Sequence, residues 1–335
     1  FKTNQFIYIS SLIIFLIIAV PNLVNLLSPD SIARNRWVGI ITPASINVIN
    51  ESRRTFSGPQ ILNRLINNKI VYAGKTVVLN YLDLVNPLPL FLNGSTNYQF
   101  NPPNTPLIFI IFAPFFYYGL YQLIRQSFRS KNMLLLLILF VLTLFPAAIT
   151  VGDFPSIRAT VALPFYFIII ALGIYSLKIS RSKIFTSFII VIALFELASY
   201  WKSYLQYNRN YSQTWQYGYQ PAVEFVKNNY SNYHQIVFTK KYGEPHEFIL
   251  FYWPWDPQKY QSDPHFSWNF HADWYWIDSF DKFKFANDWD IPKLKFTAGT
   301  LLVTSPGNYP TNNSHLLKTI NFLNGSPAFD IVSYE

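Results

Sequence analysis

Phe145-Pro-Ala-Ala-Ile-Thr-Val-Gly-Asp-Phe-Pro-Ser-Ile-Arg-Ala-Thr-Val-Ala-Leu-Pro164 decides how this chain folds. It joins two apolar runs through a short polar turn that holds Gly152, Asp153, Pro155 and one cation, Arg158. Met133 to Val151 and Thr160 to Leu177 contain no charged residue. At about 1.5 Å per residue, a helix of ~18 residues covers about 27 Å, close to the thickness of a bilayer's hydrocarbon. Two spanning helices therefore flank the turn, which places Asp153 and Arg158 at a membrane surface. Arg158 there can meet a lipid phosphate, cap the interface, or pair with Asp153 five positions earlier.

Working outward, composition supports a membrane protein. Of 335 residues, 51% are hydrophobic, 19% aromatic and only 13% charged, against about 25% charged in soluble domains. The formal net charge of +9 comes from cations clustered beside apolar runs, which points to topology rather than nucleic acid. There is no cysteine, so disulfides and thiolate metal sites are excluded.

Spans are expected near 6–27, 107–124, 133–151, 160–177 and 184–201, with a long loop over 28–106. Phe6 to Leu27 is too long and aromatic for a signal-peptide core. The chain opens at Phe1 and runs straight into it, so a longer parent product is expected. The loops at 125–131 and 178–183 each carry three cations and no acid, which makes them cytoplasmic. The turn at 152–158, the long loop and everything after Trp201 then face out. Thr42-Pro43 ahead of Ile46, Ile49 and Arg53 predicts a short surface helix up to Phe56. Val71 to Leu90, aromatic and β-branched, is expected in the membrane interface. Glu196 lies within the last span, about a turn before Trp201, and is expected to reach water.

Residues 202–335 read as a small α/β domain outside the membrane. Pro221 to Asn229 predicts an amphipathic helix. Strands are expected at Gln235–Thr239, Phe248–Tyr252, Thr300–Thr304 and Ala328–Ser333, with a helix over His315–Leu323. The fold class is thus an α-helical polytopic membrane protein with a C-terminal extracytoplasmic α/β domain, divided at 201.

The order of features resembles a known family. Leu79-Asn80-Tyr81-Leu82-Asp83 and Pro89-Leu90-Phe91-Leu92-Asn93-Gly94 close the long loop. Gly152-Asp153-Phe154-Pro155-Ser156-Ile157-Arg158-Ala159 then precedes a span carrying Leu163-Pro164 and Ala171-Leu172-Gly173. Over roughly residues 28–180 this resembles the second half of bacterial membrane glycosyltransferases of the GT-C superfamily. The branch is that of protein mannosyltransferases and aminoarabinose transferases (glycosyltransferase family 39 and its relatives). The aromatic outer domain resembles the C-terminal domain of some members.

The resemblance implies an inverting transferase at the outer face of a bacterial or archaeal plasma membrane. The donor is a polyprenyl-phosphate-linked sugar; the acceptor is a glycan, a lipid or a protein. Cations must hold the lipid phosphate as its charge grows. Arg158 and Arg53 are the candidates, with Asn80, Tyr81, Asp83 and Asp153 lining the donor or acceptor cavity. In that family an acid on the first outward loop is the catalytic group. This chain lacks that loop, so no catalytic residue is assigned, and a divalent cation is left open.

Other constellations carry weaker chemistry. Trp253, Trp255, Trp274 and Trp276 suit stacking on sugar rings, or equally an aromatic core. His246, Glu247, His265, His271 and Asp273 fit no metal-ligand spacing, and Asp288-Trp289-Asp290 only imitates the DxD of nucleotide-sugar enzymes. The rival to a transferase is a non-catalytic, membrane-anchored carbohydrate-binding or envelope-assembly protein, for which the tryptophans are the working surface.

Overall fold

In the computed structural model the described residues are 2–25, 28, 31–32, 36, 38–151, 156–178, 182–271 and 274–335; of residues 2–8, 156 and 271 only the backbone is described. The chain is mostly helical and ends in a sheet domain. Among the described residues three helices have the length and apolarity to cross a membrane: Lys131–Ala148, Ile157–Ser176 and Lys183–Asn210. Ile9–Asn25 is a shorter apolar helix.

By contacts the chain forms two compact units, 1–86 with 120–169 and 87–119 with 170–335. The helix that contains Trp201, Lys183–Asn210, falls in the same unit as the sheet.

In the first unit, α1 spans Lys2–Asn25, α2 Pro43–Thr55, α3 Gln60–Ile66 and α4 Lys69–Leu84. The Thr42-Pro43 signal starts α2 as expected. Thr42 and Ser45 exchange bonds, Ser45 N to Thr42 Oγ1 at 3.2 Å and Thr42 N to Ser45 Oγ at 2.9 Å, and Pro43 sits where no intrahelical N–H is needed. The Asn68 side chain caps α4 by accepting from Ile70 N and Val71 N. α6 (Lys131–Ala148) packs on α4; Leu84 on α4 and Phe140, Leu144, Ala147 and Ala148 on α6 are buried. Tyr166 lies edge-on to Phe140, ring centroids 5.4 Å apart, and donates to Leu84 O at 2.7 Å. After α6, Val151 N bonds Val38 O at 2.9 Å, and Gly39 pairs with Thr150.

In the second unit, Gly94 allows a tight loop. Its φ is +70°, and a Cβ there would lie 2.0 Å from Thr105 O and 2.1 Å from the Asn101 amide. Buried Asn101 closes the same loop by donating to Pro102 O and Thr105 O. The run expected as a span over 107–124 is divided. Phe109 is extended, Ile110–Phe112 make a 3-10 turn, and only Ala113–Ser127 (α5) is α-helical. Fifteen residues rise only about 22 Å, short of a full crossing. α7 (Leu163–Ser176) follows the helical turn Ser156–Ala159 and a 3-10 turn at Thr160–Ala162. α8 (Lys183–Asn210) is capped by Ser182, which accepts from Phe185 N at 3.3 Å.

The sheet has seven strands: β1 Gln235–Thr239, β2 Ser267–His271, β3 Trp274–Phe280, β4 Phe283–Ala286, β5 Thr300–Thr304, β6 Ser314–Asn321 and β7 Pro327–Tyr334. Their spatial order is β2-β3-β4-β1-β5-β7-β6, with β1 parallel to β4 and to β5 and every other pairing antiparallel. α9 (Tyr219–Asn229) buries Tyr219, Ala222, Val223 and Val226 in the core that includes Ile236, Phe238, Leu301, Val303, Phe329 and Ile331. The alternate residues Val237, Leu302 and Val332 belong to a second core with Ile291 and Tyr334.

Two expectations fail here. Pro245–Tyr252 is helix α10, so Phe248–Tyr252 is not a strand. Pro245 in the first turn and Glu247 behind it, both N-terminal helix signals, set this apolar run as a helix. His315 to Asn321 lie in strand β6 (Ser314–Asn321) rather than in a helix over His315–Leu323, and a turn holding Asn324-Gly325 leads to β7. A short helix α11 (Pro257–Gln261) follows Asp256, which caps it through Gln258 N.

Candidate functional site

The end of α6 and the start of the helix that follows build the first candidate site. The last carbonyls of α6, like those of any helix, have no following turn to donate to them and need donors from elsewhere. Asn80, half-buried on α4, supplies them, donating through Nδ2 to Ala148 O at 2.7 Å and to Thr150 O at 3.0 Å. Arg158 is half-buried and donates from one guanidinium nitrogen to Thr150 Oγ1 at 3.3 Å. Asn80 and Arg158, remote in sequence, are thus brought onto one residue. Tyr81 donates to Val141 O, one turn and more back along α6, at 3.0 Å.

The remaining sequence candidates are placed differently. Asp83 is exposed, and its Oδ1 lies 3.5 Å from Asn86 Nδ2. Arg53 sits in the last turn of α2, where its Nε donates to Asn67 O at 2.6 Å while Asn63 donates to Arg53 O. It ties α2 to the α3–α4 turn, a cluster of its own. Asp153 lies outside the described residues.

The four tryptophans divide into two pairs. Trp253 and Trp255 pack against the sheet core: Trp253 stands edge-on to Tyr230 at 4.9 Å, and Trp255 edge-on to Phe280 at 5.6 Å and Phe283 at 6.0 Å. Trp274 and Trp276 lie on β3 of an outer hairpin whose Trp268, Phe270, Trp274 and Tyr275 are exposed. The Lys240 ammonium stands 5.6 Å from the Trp276 ring and 2.8 Å from Asp278, which also accepts from Asn269.

Sequence reasoning passed over two sites. Asp288, at the mouth of the parallel strands, accepts from Thr239 Oγ1 at 2.7 Å and from Ser305 Oγ at 2.8 Å, with Lys241 Nζ 3.5 Å away. Burial pushes its carboxyl up, but these bonds, the lysine and Asn308 together hold it below the usual carboxylate range. Asp288 therefore ties three loops together. Asp290, the other acid of the imitation motif, accepts from Asn287 instead.

The second is Glu196. The residue is half-buried, and its Oε2 is enclosed with no hydrogen-bond partner among the described residues. The backbone N–H groups of Ile110 and Ile111 bond the carboxylate. It opens on a cleft of about 290 Å³ walled by Phe109, Phe195 and Tyr200 together with Ser199 and Ser203. A lone acid in an apolar run signals such a site only by being there.

Among the described residues no group of three His, Cys, Asp or Glu is placed to hold a metal ion. Compared with known protein families, with characterised proteins and with solved structures, the chain matches none.

Proposed function

We propose that this chain is the C-terminal part of a membrane glycosyltransferase. It moves a sugar from a polyprenyl-phosphate donor to an acceptor at the outer face of the membrane, with inversion. The single observation that carries the reading is the convergence of Asn80 and Arg158 on Thr150, where a long apolar helix ends. A cation fixed at that depth is positioned for a phosphate whose charge grows as the glycosidic bond breaks.

In this reading α6, α7 and α8 cross the membrane, and α1 and α5 are shorter membrane helices completing a set of five. The basic loops 125–131 and 178–183 lie in the cytoplasm, and the 152–158 turn and the sheet domain lie outside. Tyr81, Asp83 and Asp153 border the donor cavity, and Arg53 meets anionic headgroups from α2. No base that activates the acceptor is assigned in this reading.

The test is sugar transfer from a synthetic polyprenyl-phosphate sugar in membranes holding the parent protein. Arg158→Ala should abolish transfer while leaving the folded yield in detergent unchanged, and Arg158→Lys should restore part of it. Full transfer by Arg158→Ala would sink the assignment.

The exposed aromatic hairpin favours a second reading, in which the outer domain binds carbohydrate without catalysis. Loss of glycan binding in Trp274→Ala, together with unchanged transfer in Arg158→Ala, would select it.

A further inference from the structure

We infer that the Glu196 cleft is a binding site for an organic ammonium group. The inference stands apart from sugar transfer and concerns different residues. Glu196, Ser199, Tyr200 and Ser203 fall at i, i+3, i+4 and i+7 of α8, which places all four on one helix face. Three hydroxyl-bearing side chains thus share the face with the carboxylate, and the same four residues line the cleft. Phe109 and Phe195 add apolar ring surface.

The charge balance chooses the ligand. A buried carboxylate needs a counter-charge or donors for both oxygens. Ile110 and Ile111 supply backbone N–H groups, yet among the described residues Oε2 has no donor. Neither Lys nor Arg is among the residues lining the cleft, so an anionic ligand finds no partner there. A hard divalent ion asks for about six oxygen ligands, and the lining offers a single carboxylate. An ammonium group meets every feature at once. Its N–H bonds point at Oε2 and at the serine hydroxyls, its charge offsets the carboxylate, and aromatic rings attract cations.

Depth narrows the source. Tyr200, Trp201 and Tyr204 follow Glu196 within two turns, and such amphipathic rings settle at headgroup level. An ethanolamine headgroup of the bilayer and a free amine from outside both present the required chemistry.

The experiment uses the full-length protein in nanodiscs of pure phosphatidylcholine, titrated calorimetrically with n-hexylammonium chloride and, separately, with n-hexanol. Saturable binding of the ammonium alone is expected, weakened about tenfold or more in Glu196→Gln, as for loss of one charge-assisted hydrogen bond. Tyr200→Leu keeps the carboxylate and removes a ring, and should weaken binding roughly three- to tenfold. Equal binding of hexanol, or a Glu196→Gln protein that binds hexylammonium like the wild type, overturns the proposal. Where Glu196→Gln does not fold, undiminished binding by Tyr200→Leu overturns it instead. Repeating the titration in discs containing phosphatidylethanolamine separates the sources. Competition identifies the headgroup, and unchanged affinity identifies a free amine.

Discussion

Asn80 and Arg158 donate to the same residue, Thr150: one to its backbone carbonyl at 3.0 Å, the other to its side-chain hydroxyl at 3.3 Å. The amide also holds Ala148 O, so truncating it leaves two carbonyls without a donor. Asn80→Ala should lower the stability of the protein in detergent by about 1–3 kcal/mol. Thr150→Val leaves the carbonyl in place and should cost less, roughly 1 kcal/mol, through the lost hydroxyl alone. Thermal unfolding of the two variants side by side checks the order; the reverse order would mean that the amide is not the main tie.

Two buried tyrosines should respond oppositely to loss of the hydroxyl. Tyr166 donates to Leu84 O, so Tyr166→Phe should destabilise by about 1 kcal/mol. The Tyr219 hydroxyl is buried with no hydrogen-bond partner among the described residues, while the ring stacks on Phe248 at 4.2 Å. Tyr219→Phe keeps the ring and should be neutral or stabilising by up to ~1 kcal/mol. Hydrogen exchange at β5 and β7 reads the second variant locally.

Gly173 is a packing position. A Cβ there would stand 2.0 Å from Phe115 O, a backbone atom that cannot swing aside. Gly173→Ala should therefore push α7 away from α5 and cost roughly 1–3 kcal/mol or more, whereas Gly74→Ala, which meets nothing within 4 Å, should be tolerated. A cysteine crosslinking pair across the two helices should lose efficiency in the first variant only.

The Asp288 network carries a pH dependence. Its carboxyl is held below the ordinary range in the folded protein. The folded state therefore binds fewer protons there than the unfolded one as pH falls past the free carboxylate value of about 3.9. The stability it contributes is complete above that value and is lost as pH drops through the folded value. Asp288→Asn should flatten the acid side of the sheet domain's stability profile and cost about 1–3 kcal/mol at neutral pH, where Thr239 and Ser305 lose a charged acceptor. Far-UV circular dichroism between pH 2 and pH 7 follows both effects.

The elements legible in the sequence are those whose local signal admits one reading. α2 announced itself through Thr42-Pro43, and β1 and β5, short β-branched runs, stand at Gln235–Thr239 and Thr300–Thr304 as expected. β6 was not legible, because Leu316, Leu317, Ile320 and Leu323 suit a helical stripe. Register with β7 decided it, and the signal available was Asn324-Gly325, a turn dipeptide with Gly325 at φ +86°. Of the site, Arg158 and Asn80 were visible as residue types out of place beside apolar runs, but their meeting on Thr150 was not. The role of Glu196 was hidden because the wall of its cleft comes from Phe109, far away along the chain.

β1 lies in the middle of the sheet, yet both of its partners, β4 and β5, are made after the long segment that carries β2, β3 and two helices. Until they emerge from the ribosome, Ile236, Val237 and Phe238 have no strand on either side, and the aromatic hairpin has nothing to rest on. Assembly dominated by such remote pairings is slow, on the order of milliseconds to seconds. During that interval the nascent domain is a sticky, half-built species, so its yield should depend on holding chaperones.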